Sequence, residues 1–103
     1  VVDRASGWID KMVSVGLRPN TVSYNAVLKT CSKAGDVAAA RLWLDRMLSK
    51  SVKPDVISWN SAIAACASAH PRAGPEAEKM FRELVASGLV PDGILLTTLA
   101  RAV

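Results

Sequence analysis

Residues 18–25 read RPNTVSYN and residues 53–60 read KPDVISWN. Both run from a basic residue through proline, Asn or Asp, and an aromatic to asparagine, in the same order and 35 residues apart. A weaker third copy, VPDGILLT, starts at Val90. Self-similarity with a fixed period of roughly 20–50 residues marks a stacked array, in which each unit buries its apolar face against its neighbours. The fold therefore depends on what lies between the echoes.

Aligning residues 21–55 with 56–92 pairs Val22 with Ile57, Tyr24 with Trp59, Asn25 with Asn60, Cys31 with Cys66, Ala40 with Ala77, Leu44 with Phe81, Met47 with Leu84 and Asp55 with Asp92. The second copy is two residues longer, and the excess falls in SAHPRAGPEA, where prolines and a glycine mark a loop that tolerates insertion. Within the first copy, Tyr24, Val27, Leu28 and Cys31 recur at the spacing of one helix face, and Val37, Ala40, Leu44, Met47 and Leu48 do so again. Each copy is thus predicted to hold two helices. Gly35 can take the left-handed conformation that ends the first, and Asp36 is placed to cap the second. Pro54 stops the second helix.

The same pattern extends to the flanks, since Ala5, Ile9, Met12, Gly16, Leu17, Pro19 and Asn20 match the back half of a unit. The expected organisation is a second helix of an incomplete repeat at 1–20, full repeats at 21–55 and 56–92, and a first helix of an incomplete repeat at 93–103. Such a chain, starting with Val and unsealed on both outer faces, is expected to be an excerpt from a longer array.

Composition bounds the chemistry. Half of the 103 residues are apolar but only three Trp, one Tyr and one Phe are present, so Ala, Val and Leu build most of the interior, which favours helices. The net charge of +4 suits a polyanionic partner without requiring one. Cys31 and Cys66 hold the same place in successive copies, which points to buried thiols that do not face each other as a disulfide would require. No Cys/His cluster suggests a metal, and the longest apolar run, SAIAACASA, is too short to span a bilayer. The sequence holds no nucleophile with base and orienting group, no carboxylate cluster and no glycine-rich phosphate loop, so no catalysis, cofactor or small-molecule substrate is expected.

The unit TVSYNAVLKTCSKAGDVAAARLWLDRMLSKSVKPD resembles the pentatricopeptide repeat, whose pattern begins Val-Thr-Tyr-Asn, passes Cys-Lys-Ala-Gly and closes on Met, Gly and Pro-Asp. The departures are Ser51 where the family prefers glycine, the insertion in the second unit, and Leu95-Leu96-Thr97 in the third. The Trp, Leu-Gly and Tyr pattern of the tetratricopeptide family is absent. The resemblance implies an all-α chain, an α-solenoid of stacked antiparallel helix-turn-helix hairpins with a right-handed superhelical stack. It further implies sequence-specific binding of single-stranded RNA, one base per repeat, in organellar RNA metabolism such as RNA processing in a mitochondrion or chloroplast. In the family the fifth residue of a repeat and its last residue select the base. Here these are Asn25 with Asp55 and Asn60 with Asp92, both the pair used for uracil. Asn20 and Thr97 are weaker candidates that lack their partners. By the same resemblance Val22, Ile57 and Ile94 wedge between bases, and Lys33, with Lys29 second to it, contacts phosphate.

The chemistry of these side chains agrees. A carboxamide carries a donor and an acceptor in one plane, as does the Watson-Crick edge of a splayed base. A carboxylate beside it can hold the NH2 in one orientation, or reach the N3–H of uracil through a water. Val22 and Ile57 are stiff at χ1 and suit an apolar shelf against a base.

Plainer roles compete with these. The asparagines can serve as caps, and Asp55 and Asp92, following proline at a helix junction, can cap and select at once. Tyr24 and Trp59 fall on the apolar stripe and read as core. Trp8 and Trp43 read as packed between hairpins or partly exposed, and His70 as structural. Glu76, Glu78, Lys79, Arg82 and Glu83 read as a solvated face with pairs such as Glu78–Arg82. The alternative function is a helical-repeat scaffold binding a protein partner in its concave groove, which would spend its Asn and Asp on caps.

Overall fold

Asn20, Asp36, Asp55 and Asp92 each stand just before a helix, and each side chain accepts a hydrogen bond from the amide three residues on: Ser23 at 3.0 Å, Ala39 at 3.0 Å, Ser58 at 2.9 Å and Leu95 at 2.8 Å. A capped start satisfies one of the amides that a helix leaves unpaired. The computed structural model describes residues 2–69 and 73–103, with side chains from Gly7 onward. Six helices occur among the described residues: α1 (Val2–Ser14), α2 (Thr21–Ala34), α3 (Val37–Ser49), α4 (Val56–Ser68), α5 (Gly74–Ala86) and α6 (Gly93–Ala102). Ala73, at the cap position before α5, supplies no side-chain cap, and the helix has only a proline in its first turn. His70 and the side chain of Ala5 lie outside the described residues.

The helices form two layers. α2, α4 and α6 pack side by side, while α3 bridges α2 and α4, α5 bridges α4 and α6, and α1 lies on α2. The thin dimension of the molecule, 19 Å, accommodates two layers of helices whose axes are about 8–10 Å apart. This is an all-α solenoid of stacked hairpins.

One core runs through both layers. Tyr24, Val27, Leu28 and Cys31 of α2 meet Ala40, Trp43, Leu44 and Met47 of α3, and the pattern continues in Trp59, Ala62, Ile63 and Cys66, then Ala77, Met80, Leu84 and Leu95. α4 is the most deeply buried helix because it has neighbours on every apolar side. Each fully buried leucine contributes about 1.5–3 kcal/mol relative to exposure. Tyr24 and Trp43 meet at 6.1 Å between ring centroids, at a tilt that aromatic pairs favour. Cys31 and Cys66 are unbridged and buried, and burial is the main cause that pushes each thiol up to about 11.

Three readings of the helix faces change, two apolar and one charged. Leu48 is 49% exposed and Trp43 takes the buried place on α3, because the helix packs between α2 and α4 and its inward face is centred on Trp43, Leu44 and Met47. Met12 is half-buried and Leu17 exposed, with Ile9 the only buried residue of that stretch among the described side chains, since α1 has α2 as its one substantial helix contact while α3 has two. Glu83 pairs across hairpins instead of joining a solvated face. Its carboxylate takes a two-pronged bond from Arg41 at 2.5 and 2.9 Å, and Arg41 also reaches Asp45 at 2.7 Å. These bonds, Glu83 first and Asp45 second, raise the Arg41 pKa and tie α3 to α5. No Glu78–Arg82 ion pair forms among the described residues.

Gly35 ends α2 at φ 65°, and a Cβ there would meet the Ser68 carbonyl oxygen at 2.8 Å. Only glycine combines that backbone with that approach. The junctions after the second helices also turn left-handed, at Gly16 (φ 83°), Ser51 (φ 59°) and Gly88 (φ 89°). Ser51, at the place where the resemblance prefers glycine, is the one residue of the three with a side chain in this conformation.

Candidate nucleic-acid interface

The first-helix layer presents an exposed apolar residue at the second position of each helix: Val22, 74% exposed, Ile57, 63%, and Ile94, 68%. Asn25 lies three residues beyond Val22 and Asn60 three beyond Ile57, so each amide shares a helix face with its apolar neighbour. Large apolar side chains left outside in register on successive helices serve neither the core nor solubility.

The two asparagine–aspartate pairs differ. Asn25 Nδ2 donates to Asp55 Oδ1 at 3.2 Å, and Asn25 Oδ1 accepts from the Ser58 hydroxyl. Asp55 is also the N-cap of α4, where its Oδ1 accepts the Ser58 amide at 2.9 Å and lies 3.0 Å from Ser58 Oγ, while the Asp55 amide donates back to Ser58 Oγ at 3.2 Å. Burial pulls the Asp55 carboxyl up, but the bonds from Ser58 and Asn25 outweigh it and hold the group below the usual carboxylate value. Asp55 thus caps a helix and orients an amide at the same time.

In the second unit the residues stand in the same order without the same bonds. Asp92 caps α6 through the Leu95 amide at 2.8 Å and is exposed, while Asn60 Oδ1 is buried with no hydrogen-bond partner. No hydrogen bond joins Asn60 to Asp92 among the described residues. The register that places Ser58 beside Asn25 places Leu95, fully buried, in the corresponding position for Asn60.

The sequence model of the PPR repeat family matches residues 19–68. The crystal structure of the pentatricopeptide repeat protein PPR10 from maize aligns with 98% of the chain at TM-score 0.81 and 27% identity. The chain carries pentatricopeptide repeats over residues 19–68. Nuclear proteinaceous RNase P 2 (PRORP2) from A. thaliana aligns with 98% of the chain at TM-score 0.82, where 18% identity speaks to fold alone. The chain spans 14% of the first neighbour's length and 21% of the second's. Among curated protein sequences there is no significant match.

Within this pentatricopeptide array the remaining site candidates fall as follows. Lys29 and Lys33 are exposed on α2, four and eight residues after Asn25 on one helix face, while the matching Ala64 and Ser68 of α4 carry no charge. Asn20 caps α2 in a reciprocal box with Ser23, and the Thr97 hydroxyl donates to the Gly93 carbonyl at 2.9 Å. Tyr24 and Trp59 are core, whereas Trp8 is 63% exposed with the Lys11 ammonium 5.5 Å from its ring centre. Ser58 is the participant that reading the sequence missed. Its signal was present, since Ser23 and Ser58 recur at the repeat period three residues after a capping Asn or Asp, but that pattern announces a cap and not a bond to Asn25.

Proposed function

We propose that this pentatricopeptide array binds single-stranded RNA along its first-helix layer, reading one base with Asn25 and Asp55 and the next with Asn60 and Asp92, both with a preference for uracil. The observation that carries the proposal is the exposed row Val22, Ile57 and Ile94, set in register beside two amides on consecutive helices. Bases splayed from a single strand stack on such side chains and offer their Watson-Crick edges to the amides. Lys33 and Lys29 supply attraction to phosphate beside the first unit, which makes binding salt-dependent.

Asn20 and Thr97 take weaker parts in neighbouring units. The role is in RNA metabolism, with placement in a mitochondrion or chloroplast resting on the family alone. The chain acts as a binding scaffold and not as a catalyst. A protein partner in the same groove is the second reading, favoured by the capping duty of Asn20, Asp55 and Asp92. Against it, neither Asn25 nor Asn60 caps a helix.

Each base read contributes about 1–3 kcal/mol, so two units alone reach only roughly tens of millimolar to tens of micromolar affinity. The test is selection from a randomised single-stranded RNA pool by the full-length protein. Enrichment of two adjacent uracil-dominated positions is expected. A pool without sequence preference contradicts the reading.

A further inference from the structure

A carboxamide has two N–H donors and two acceptor lone pairs. At Asn25 one N–H is spent on Asp55 and one lone pair on Ser58, which leaves one donor and one acceptor whose left-right order is fixed. That order matters because uracil presents an N3–H beside a carbonyl, whereas cytosine presents a bare N3 beside an amino group. The two edges carry donor and acceptor in opposite order. An amide free to turn over satisfies either edge, so whatever prevents the turn separates the two pyrimidines.

Ser58 is suited to prevent it. Its Oγ accepts the Asp55 amide at 3.2 Å, and Asp55 Oδ1 already receives the Ser58 amide and Asn25 Nδ2, so the serine proton is best spent on Asn25 Oδ1. A turned amide would set its NH2 against this donor and its carbonyl against the carboxylate, losing two hydrogen bonds together. Asn60 has neither restraint. Its carbonyl is buried without a donor, no bond ties it to Asp92, and Leu95 holds the position of the serine. With nothing to fix its order of donor and acceptor, the Asn60 amide separates the uracil edge from the cytosine edge less sharply.

We infer that Ser58 is a positioning residue for base choice, clamping the Asn25 amide so that the first unit separates uracil from cytosine sharply, while the second unit, with leucine at the matching place, keeps a weaker preference for uracil over cytosine. The inference rests on the base-reading role of Asn25 and Asn60 proposed above.

The test uses the full-length protein and synthetic single-stranded RNAs based on its selected sequence, with U or C at the nucleotide opposite either unit. In the wild type the U-over-C affinity ratio is expected to be about five- to tenfold larger opposite Asn25 than opposite Asn60, the worth of one net hydrogen bond. Ser58→Ala is expected to lower the ratio opposite Asn25 to that opposite Asn60, and Ser58→Thr, which keeps the hydroxyl, to restore it. General loss of fold weakens U and C RNAs alike and leaves the ratio unmoved, and the wild-type comparison of the two positions needs no variant at all. Equal ratios at both positions in the wild type overturn the inference. So does a ratio that survives Ser58→Ala but is abolished by Asn25→Ala, and that result leaves base reading intact. A ratio that survives Asn25→Ala as well removes the base-reading role and this inference with it.

Discussion

The two full hairpins share a register and differ in how tightly each is finished. In the first, α2 and α3 are joined by two residues, Gly35 and Asp36, which end one helix and cap the next, and the amide of Asn25 is held by Asp55 and Ser58. In the second, α4 and α5 are separated by residues 69–73, α5 lacks a side-chain cap, and the Asn60 carbonyl is buried without a partner. The basic residues Lys29 and Lys33 also belong to the first alone. Only at the closing turn is the order reversed, where Gly88 takes easily the left-handed conformation that Ser51 adopts with a side chain. A repeat can therefore keep its helices while its polar details drift. Those details decide how firmly each unit holds its asparagine amide.

The comparison can be broken most severely at Gly35. Gly35→Ala places a Cβ at φ 65° and 2.8 Å from the Ser68 carbonyl oxygen, so it is expected to cost about 2–3 kcal/mol and to lower the melting temperature by several degrees. Unchanged thermal unfolding would mean that the two-residue turn is not a tight constraint.

Asp55 is the next lever, and its effect depends on pH. The folded state holds its carboxyl below the usual value, so its stabilisation is full above the unfolded-state pKa of about 3.9 and is lost as pH falls through the lower folded value. Asp55→Asn keeps a capping oxygen but removes the charge. It is expected to cost about 1 kcal/mol near neutral pH and to flatten the acid-side loss of stability, measured by denaturant unfolding from about pH 7 down to about pH 3. Identical acid slopes for both proteins would contradict the assigned network.

The smallest change runs the other way. Ser51→Gly gives the first hairpin the closing residue of its neighbours and is expected to add about 0.5–1 kcal/mol, since a left-handed backbone costs a side chain that much. A loss of stability on the same thermal assay would show that the serine side chain has a role of its own.

The helices were legible because their information is local. A 3.6-residue apolar period, a glycine and an aspartate suffice to place α2, the turn and α3, and the echo at 35 residues transfers the reading to α4 and α5. Which of Trp43 and Leu48 turns inward was not legible, because it is settled by the helices on either side of α3. The Arg41–Glu83 bridge was hidden for a related reason: the two residues hold different places in their repeats and meet only because α3 and α5 both pack on α4. Ser58 stood in plain view as the third residue of a cap. Its bond to Asn25 joins residues thirty-three positions apart, and no local pattern records it.

The central claim is that single amides on consecutive first helices each choose a base. It is tested most directly by repeating the RNA selection with full-length protein carrying Asn60→Thr. By the family's code the position opposite the second unit moves from uracil towards guanine while the position opposite Asn25 stays as it was. A selected sequence unchanged at the second position would contradict the account.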